Sequence, residues 1–223
     1  LGAVNSINWA RILAQMVYYF YAWGRVAGGD PDHHLSFAVP TGNFGDVFAG
    51  YMAKRMGLPV DRLIIATNRN DILSRFVHGG VYAAGEVYPT LSPAMDIQIA
   101  SNFERYLYFL LDEDPVAVRR LLEEMAQGGS LAVEGQRLAQ TQADFDARAV
   151  SDEETLAQIR ETFAHLGYIL DPHTATGVRA ARGQPNVICL ATAHPAKFAE
   201  AGPLAIGRAA PPPPALRGLR EKE

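Results

Sequence analysis

The apolar positions of the chain change from a helical spacing to a strand-like spacing and back. From residue 5 to residue 26 they recur every three or four positions, which predicts a helix capped by Asn5 or Ser6. Residues 35–39 form a short, mostly apolar run that stops at Pro40, as expected for a strand buried in a sheet.

A second helix and a second strand follow this run. Helical spacing over about 47–56 ends at Gly57, and an apolar run over 62–67 predicts the next strand. A strand, a helix and a strand within about thirty residues form a βαβ unit, so the two strands are expected to be parallel.

The rest of the chain continues the alternation, without an internal repeat. Helices are predicted at about 102–111, 115–126, 151–166 and 174–181, and a last strand at 186–191. Asp114 is a good N-cap before Pro115, and Ser151 with Glu154 has the spacing of a capping box. The pattern predicts an α/β fold with a mostly parallel sheet flanked by helices, in which ligands bind beyond the carboxyl ends of the strands.

Composition excludes several classes of protein. With 48% hydrophobic residues and a net charge of −4, the chain has the balance of a folded domain. A pI of about 5.9 without a basic block argues against nucleic-acid binding. Apolar stretches are interrupted well before the ~20 residues that a membrane helix needs. The single cysteine, Cys189, excludes a disulfide scaffold and suits a reducing compartment.

The loop between the first strand and the second helix is the first candidate site. It has the sequence PTGNFGD over residues 40–46. Gly42 and Gly45 allow a tight turn and a close approach of the backbone to a ligand, and free N–H groups at the helix start favour an anion such as phosphate. The alternative is an ordinary glycine-rich turn in which Asp46 caps the helix. The loop lacks the lysine of a P-loop and the glycine spacing of a dinucleotide site.

Three further segments carry polar residues near predicted element ends. Thr192 follows the last strand, where its hydroxyl would face the edge of the sheet, although position alone favours a solvent-facing turn. Asn5, Asn8 and Arg11 are spaced three apart on one helical face, and the planar guanidinium suits a carboxylate or phosphate. Residues 171–177 could form a turn at the same edge.

Other chemistry finds no support in the sequence. The histidines lack metal-ligand spacing, so no metal site is predicted, and no GxSxG elbow is present. Cys189 lies in an apolar strand, which favours an inert core thiol over a nucleophile.

Several of these segments together resemble one enzyme family. In order along the chain they read NSINWARILAQMVYYFYA, PTGNFGD, GLPVDRLIIATNRND, LSPAMDIQIASNFERYLY, DPHTATG and ATAHPAKF. They are similar to the C-terminal part of threonine synthase, over residues 4 to about 198. The resemblance implies a pyridoxal-phosphate enzyme of fold type II that converts O-phospho-L-homoserine and water into L-threonine and phosphate, in the cytoplasm.

The resemblance also implies roles for individual residues. The loop that cradles the cofactor phosphate would consist of Gly42, Asn43, Phe44, Gly45 and Asp46. Thr192 would place its hydroxyl against the pyridine nitrogen. Asn8 and Arg11 are candidates for contacts to the substrate or to the wall of the active site.

One essential residue of the family has no counterpart here. The family binds its cofactor through a lysine in a segment upstream of NSINWAR, and Lys54, Lys197 and Lys222 do not match its position. Residues 1–200 would then be part of the large cofactor domain, with the N-terminal domain, the small domain and the lysine segment outside the chain. Residues 201–223 would form an extension with a proline-rich tail.

Two other functions stay open. A non-catalytic module derived from such an enzyme could bind the cofactor or a phosphate ligand, and another enzyme of the same fold type is possible. Whether the chain belongs to a threonine synthase or to another enzyme of this fold type, it is expected to be inactive without the missing part.

Overall fold

A computed structural model describes residues 5–214; Lys222 and the end of the proline-rich tail lie outside the described residues. The helices are α1 (Trp9–Ala27), α2 (Gly45–Arg55), α3 (Ile72–Gly79), α4 (Phe103–Leu110), α5 (Pro115–Ala126), α6 (Gly135–Asp144), α7 (Asp152–Leu166), α8 (Pro172–Ala180) and α9 (Ala201–Ile206). The strands are β1 (Leu35–Pro40), β2 (Val60–Thr67), β3 (Val81–Tyr82), β4 (Leu131–Ala132), β5 (Phe145–Ala149) and β6 (Val187–Cys189).

Four of the strands form one parallel sheet in the order β5-β2-β1-β6. Val39 of β1 lies opposite Ile65 of β2, and Ala38 lies opposite Cys189 of β6. The predicted βαβ unit and the predicted fold class are therefore confirmed. Strand β1 is central, so its carboxyl end opens between two neighbouring strands, where a ligand site is expected.

Alternation along β1 and β2 divides the core between the two faces of the sheet. Phe37 and Leu63 face a large cluster that includes buried side chains of α1 to α4. Ala38 and Ala66 belong to a smaller cluster that includes Ala180 of α8. Small side chains let α8 approach the sheet closely, because the smaller the residue the shorter the distance between the packed backbones.

Some element bounds differ from the sequence predictions for local reasons. Helix α1 begins at Trp9 rather than near Asn5, because Asn8 is extended and its side chain accepts the Ala10 N–H at 3.0 Å. Strand β6 begins one residue later than predicted, because Asn186 has a positive φ of 51°, and it ends at Cys189. The capping box of Ser151 and Glu154 is confirmed.

The outer side of α1 is unusually apolar. Trp9, Leu13, Val17, Tyr18 and Tyr21 are all exposed, whereas Ile12, Met16 and Tyr19 of the same helix are buried. Within residues 5–214, no helix combines the length and the apolar character needed to cross a membrane. Helix α9, at the start of the predicted extension, packs on α7 with Ala201 and Ala205 buried.

Candidate functional site

A cleft of about 260 Å³ opens at the carboxyl end of β1. Three segments form much of its wall: the glycine loop (residues 40–46), the β6 segment (residues 190–198) and the short turn Pro93–Met95. A second cleft of about 530 Å³ adjoins it and shares Arg11, Gln15, Asp46 and Thr192. The structure thus brings the glycine loop, Thr192 and Arg11 together at one cleft.

The glycine loop is held by a buried aromatic side chain at its centre. Phe44 is 1% exposed and packs edge-on against Phe103 and Phe145, with ring centroids 5.2 Å and 5.6 Å away. Its φ of 69° is a left-handed conformation that costs a non-glycine residue on the order of 1 kcal/mol. The surrounding core over-determines this conformation, so the strain persists and turns the chain sharply into α2.

This turn leaves backbone donors pointing out of the helix start. The Asn43 side chain accepts the Gly45 N–H at 2.8 Å, but no side chain caps α2. The N–H groups of Asp46 and Val47 find no acceptor among residues 5–214. Uncapped amides and the helix dipole together make an anion site.

Gly42 is required by a close contact rather than by its own backbone angles. A Cβ at this position would lie 2.7 Å from the Ala94 carbonyl oxygen and 3.0 Å from the Met95 Cα. Both contacts are to backbone, so a larger residue would push the turn Pro93–Met95 away from the loop.

Asp46 is the acidic residue of the site and lies in the first turn of α2, not at its cap. The Tyr19 hydroxyl donates to its backbone oxygen at 2.7 Å and lies 3.3 Å from its Oδ1. Burial raises the pKa of Asp46 to about 6, although the Tyr19 hydrogen bond acts to lower it. Below this pH the side chain is neutral and does not repel an anion at the helix start.

Thr192 lines the same cleft, in the segment that follows β6. Its N–H donates to the Thr174 Oγ1 at 3.2 Å, and its own hydroxyl has no protein partner among residues 5–214. Arg11 and Lys197 also line the cleft, and the part of the chain described here holds no carboxylate within ion-pairing distance of either. Asn8 caps α1 and is not among the residues that line the cleft.

Sequence reasoning missed several lining residues. Ala94, Met95 and Gln15 were not candidates, and His173 was included only as part of the turn at 171–177. The fourth candidate segment does reach the same edge, through His173. The proline in LSPAMD was the one available signal, since it marks a turn before the next helix.

Metal-ligating side chains and the cysteine are the remaining chemical groups of interest. Among residues 5–214 no group of three metal-ligating side chains is present. Cys189 is a half-buried free thiol whose pKa is raised by burial to about 11, as expected for an unreactive cysteine. A separate cleft near Lys54 and Arg55 lies at the far end of α2.

Comparison with known proteins agrees with this geometry. The family model "Threonine synthase, C-terminal" matches residues 174–223. A threonine synthase of Pseudomonas aeruginosa is 52% identical over 229 residues, covering 100% of this chain and 48% of that protein.

Two solved structures have the same fold. The pyridoxal-phosphate-bound threonine synthase of Brucella melitensis is 48% identical, with a TM-score of 0.94 over 100% of this chain and 48% of that one. The yeast threonine synthase is 41% identical, with a TM-score of 0.90 over 100% of this chain and 49% of that one. The chain thus spans about half the length of these relatives, and along its whole length it is homologous to part of threonine synthase.

Proposed function

We propose that this chain is part of a pyridoxal-phosphate-dependent lyase that converts O-phospho-L-homoserine and water into L-threonine and phosphate. The observation that carries the proposal is the cleft itself. It joins an uncapped helix start behind the glycine loop to the free hydroxyl of Thr192, in a chain homologous to threonine synthases.

The residues present fit the cofactor at both of its ends. The N–H groups of Asp46 and Val47 suit a phosphate, and Gly42 keeps the loop close to Ala94. Thr192 offers a hydroxyl to the pyridine nitrogen. Because this partner is a hydroxyl and not a carboxylate, the nitrogen need not stay protonated. The 260 Å³ cleft alone is smaller than the ~300 Å³ and more of most ligand sites, so the ring would reach into the adjoining cleft.

The phosphate cradle would then consist of Gly42, Asn43, Phe44, Gly45 and Asp46. The roles of these residues differ. Phe44 anchors the loop in the core, and Asn43 fixes the turn through the Gly45 N–H. Asp46 sets the charge at the helix start. When bound, the cofactor supplies the electron sink of the reaction, while these residues bind and orient it.

Arg11 is the proposed contact to the substrate. Its guanidinium lines both clefts, carries no carboxylate partner within residues 5–214, and suits the phosphate ester of O-phospho-L-homoserine. The proposed role of Asn8 is indirect: it caps α1 and so fixes the start of the helix that carries Arg11.

The proton-transferring lysine would come from outside this chain. Lys54 donates to the Asp61 carbonyl oxygen at 3.1 Å, away from the cleft. The proposed partner is a segment that corresponds to the part of the relatives not matched by this chain. The apolar outer side of α1 is the surface that we expect this segment to cover. Residues 1–200 would belong to the large cofactor domain and 201–223 to its extension; a cytoplasmic location stays a prediction.

A chimaera tests the activity. In the Pseudomonas aeruginosa enzyme, the segment that matches this chain is replaced by this chain. We expect threonine formation from O-phospho-L-homoserine within about tenfold of the parent, and its loss in the same chimaera carrying Gly42→Val. A folded chimaera that binds pyridoxal phosphate but forms no threonine would contradict the substrate assignment.

A non-catalytic binding module is the second candidate. It is favoured by the uncapped start of α2 and the free Thr192 hydroxyl, which by themselves suit the binding of a phosphate ligand. Binding of the cofactor by the chain together with an inactive chimaera would support this function instead.

A further inference from the structure

We propose that Asp171 and Thr174 are positioning residues that hold Thr192 in register with the glycine loop across the cleft. This inference rests on the proposed function, because it assigns how the hydroxyl of Thr192 is aimed at a ligand. It also gives a role to the segment DPHTATG, which the site described above uses only through His173.

Asp171 is a buried carboxylate with more hydrogen bonds than a helix cap requires. It is 1% exposed, and its Oδ1 accepts the N–H groups of His173 and Thr174 at 2.9 Å and 3.3 Å, which caps α8. The same Oδ1 lies 3.2 Å from the His173 Nδ1. The second oxygen, Oδ2, accepts the hydroxyl of Thr174. Burial raises the pKa of Asp171, but the bonds from His173 and Thr174 outweigh burial and leave it below its usual value.

One arm of this network leads to Thr192. The Thr174 hydroxyl gives its proton to Asp171, so the Thr174 oxygen is free to accept the Thr192 N–H at 3.2 Å. The donor and acceptor roles of this hydroxyl are thereby both used. This fixes the backbone of Thr192, which lies three residues beyond the end of β6, an edge strand of only three residues whose side chains are all half-buried.

The other arm leads towards the glycine loop. The His173 Nε2 accepts the Ala94 N–H at 3.2 Å, so the ring proton lies on Nδ1 and points at Asp171. Ala94 is the residue whose carbonyl oxygen leaves no room for a Cβ at Gly42. One carboxylate therefore connects to the glycine-loop side through His173 and to the β6 segment through Thr174, and it sets the spacing between them.

A pair of threonines in α8 gives a matched test. Thr176 is buried like Thr174, but its hydroxyl donates to the Pro172 carbonyl oxygen at 2.8 Å within the helix. Thr174→Val and Thr176→Val thus remove the same group from the same helix, and only the first contacts Thr192. The probe is pyridoxine 5′-phosphate, which has the ring and the phosphate but no aldehyde to react with lysines. Inorganic phosphate reports on the loop alone.

We expect Thr174→Val to weaken pyridoxine 5′-phosphate binding about fivefold relative to Thr176→Val, the effect of one lost neutral hydrogen bond. Phosphate binding should be unchanged. Thr174→Ser should restore the affinity, and Thr174→Val should add nothing in a chain that already carries Thr192→Val. If the valine variant does not fold, Thr174→Ala against Thr176→Ala gives the same comparison.

Equal effects of the Thr174 and Thr176 variants on the ring ligand would overturn this proposal and leave the proposed function intact. Equal weakening of phosphate and pyridoxine 5′-phosphate would also overturn it, because that is the result of a merely structural role. No binding of pyridoxine 5′-phosphate by the unsubstituted chain would instead overturn the proposed function.

Discussion

The two sides of the cleft are built in different ways. The glycine loop leaves a central strand and is anchored by Phe44, a fully buried aromatic side chain in a cluster of rings. The β6 segment leaves an edge strand of three residues and is held by the hydrogen bonds of Thr174 and the contact of Phe198 with His173, whose ring centroids are 4.6 Å apart. Apolar burial thus dominates on the first side, whereas the second side depends on a hydrogen bond and a single ring contact.

This difference predicts where substitutions act on stability and where they act on ligand binding. Changes in the buried anchor should lower the free energy of unfolding of the whole chain. Changes in the β6 segment should alter affinity with a small loss of stability.

The largest expected effect on stability is at the buried anchor. Phe44→Ala should lower the free energy of unfolding by about 3–5 kcal/mol, since it leaves a cavity among packed rings. Phe198→Ala, which truncates a half-buried ring, should cost roughly half as much or less. Chemical denaturation of both variants measures the difference, and equal losses would mean that the two sides are equally part of the core.

The next effect is at the contact between the loop and the turn Pro93–Met95. Gly42→Ala should weaken pyridoxine 5′-phosphate binding at least tenfold, because its Cβ would lie 2.7 Å from the Ala94 carbonyl oxygen. Gly24→Ala is the control, since nothing lies within 4 Å of that position and its helix should be slightly stabilised. An unchanged affinity in the Gly42 variant would show that the loop does not approach the ligand.

A smaller effect depends on pH. Because the pKa of Asp46 is raised to about 6, its protonated form is favoured in the folded chain. Its contribution to stability is therefore present below the ordinary carboxylate pKa and is lost as pH rises through about 6. Phosphate affinity should fall over the same range, as the side chain becomes negative.

Asp46→Asn should flatten both pH profiles, as followed by thermal unfolding and by phosphate titration between pH 4 and pH 8. Tyr19→Phe should move the midpoint upward, because the Tyr19 hydrogen bond acts to lower the Asp46 pKa. If the pH profiles of the Asp46→Asn variant keep the same midpoint, the titrating group is not Asp46.

The smallest effect reports on strand β6, which leads into the β6 segment. Cys189 is half-buried with a pKa of about 11, so at pH 8 it should react with iodoacetamide far more slowly than a free thiol. Thr174→Val should raise this rate two- to threefold over Thr176→Val, if loss of the bond to Thr192 loosens the edge. Identical rates, measured by mass spectrometry, would mean that β6 is held by its pairing with β1 alone.

The same contrast explains what the sequence could and could not predict. The glycine loop was predictable, because its glycines, its position after an apolar run and the following helix are all local signals. The contact of Ala94 with His173 joins residues 79 apart in the chain, so no local pattern announces it. Strand β5 was missed because FDARA alternates charged and apolar residues, as an edge strand can, whereas a buried parallel strand is expected to be apolar throughout.

The most direct test of the site is a titration of the isotopically labelled chain with pyridoxine 5′-phosphate, followed by backbone amide chemical shifts. We expect the amide signals of Asp46 and Val47 to move most, together with that of Thr192. Shifts confined to the far cleft around Lys54 and Arg55, or none at saturating ligand, would contradict it.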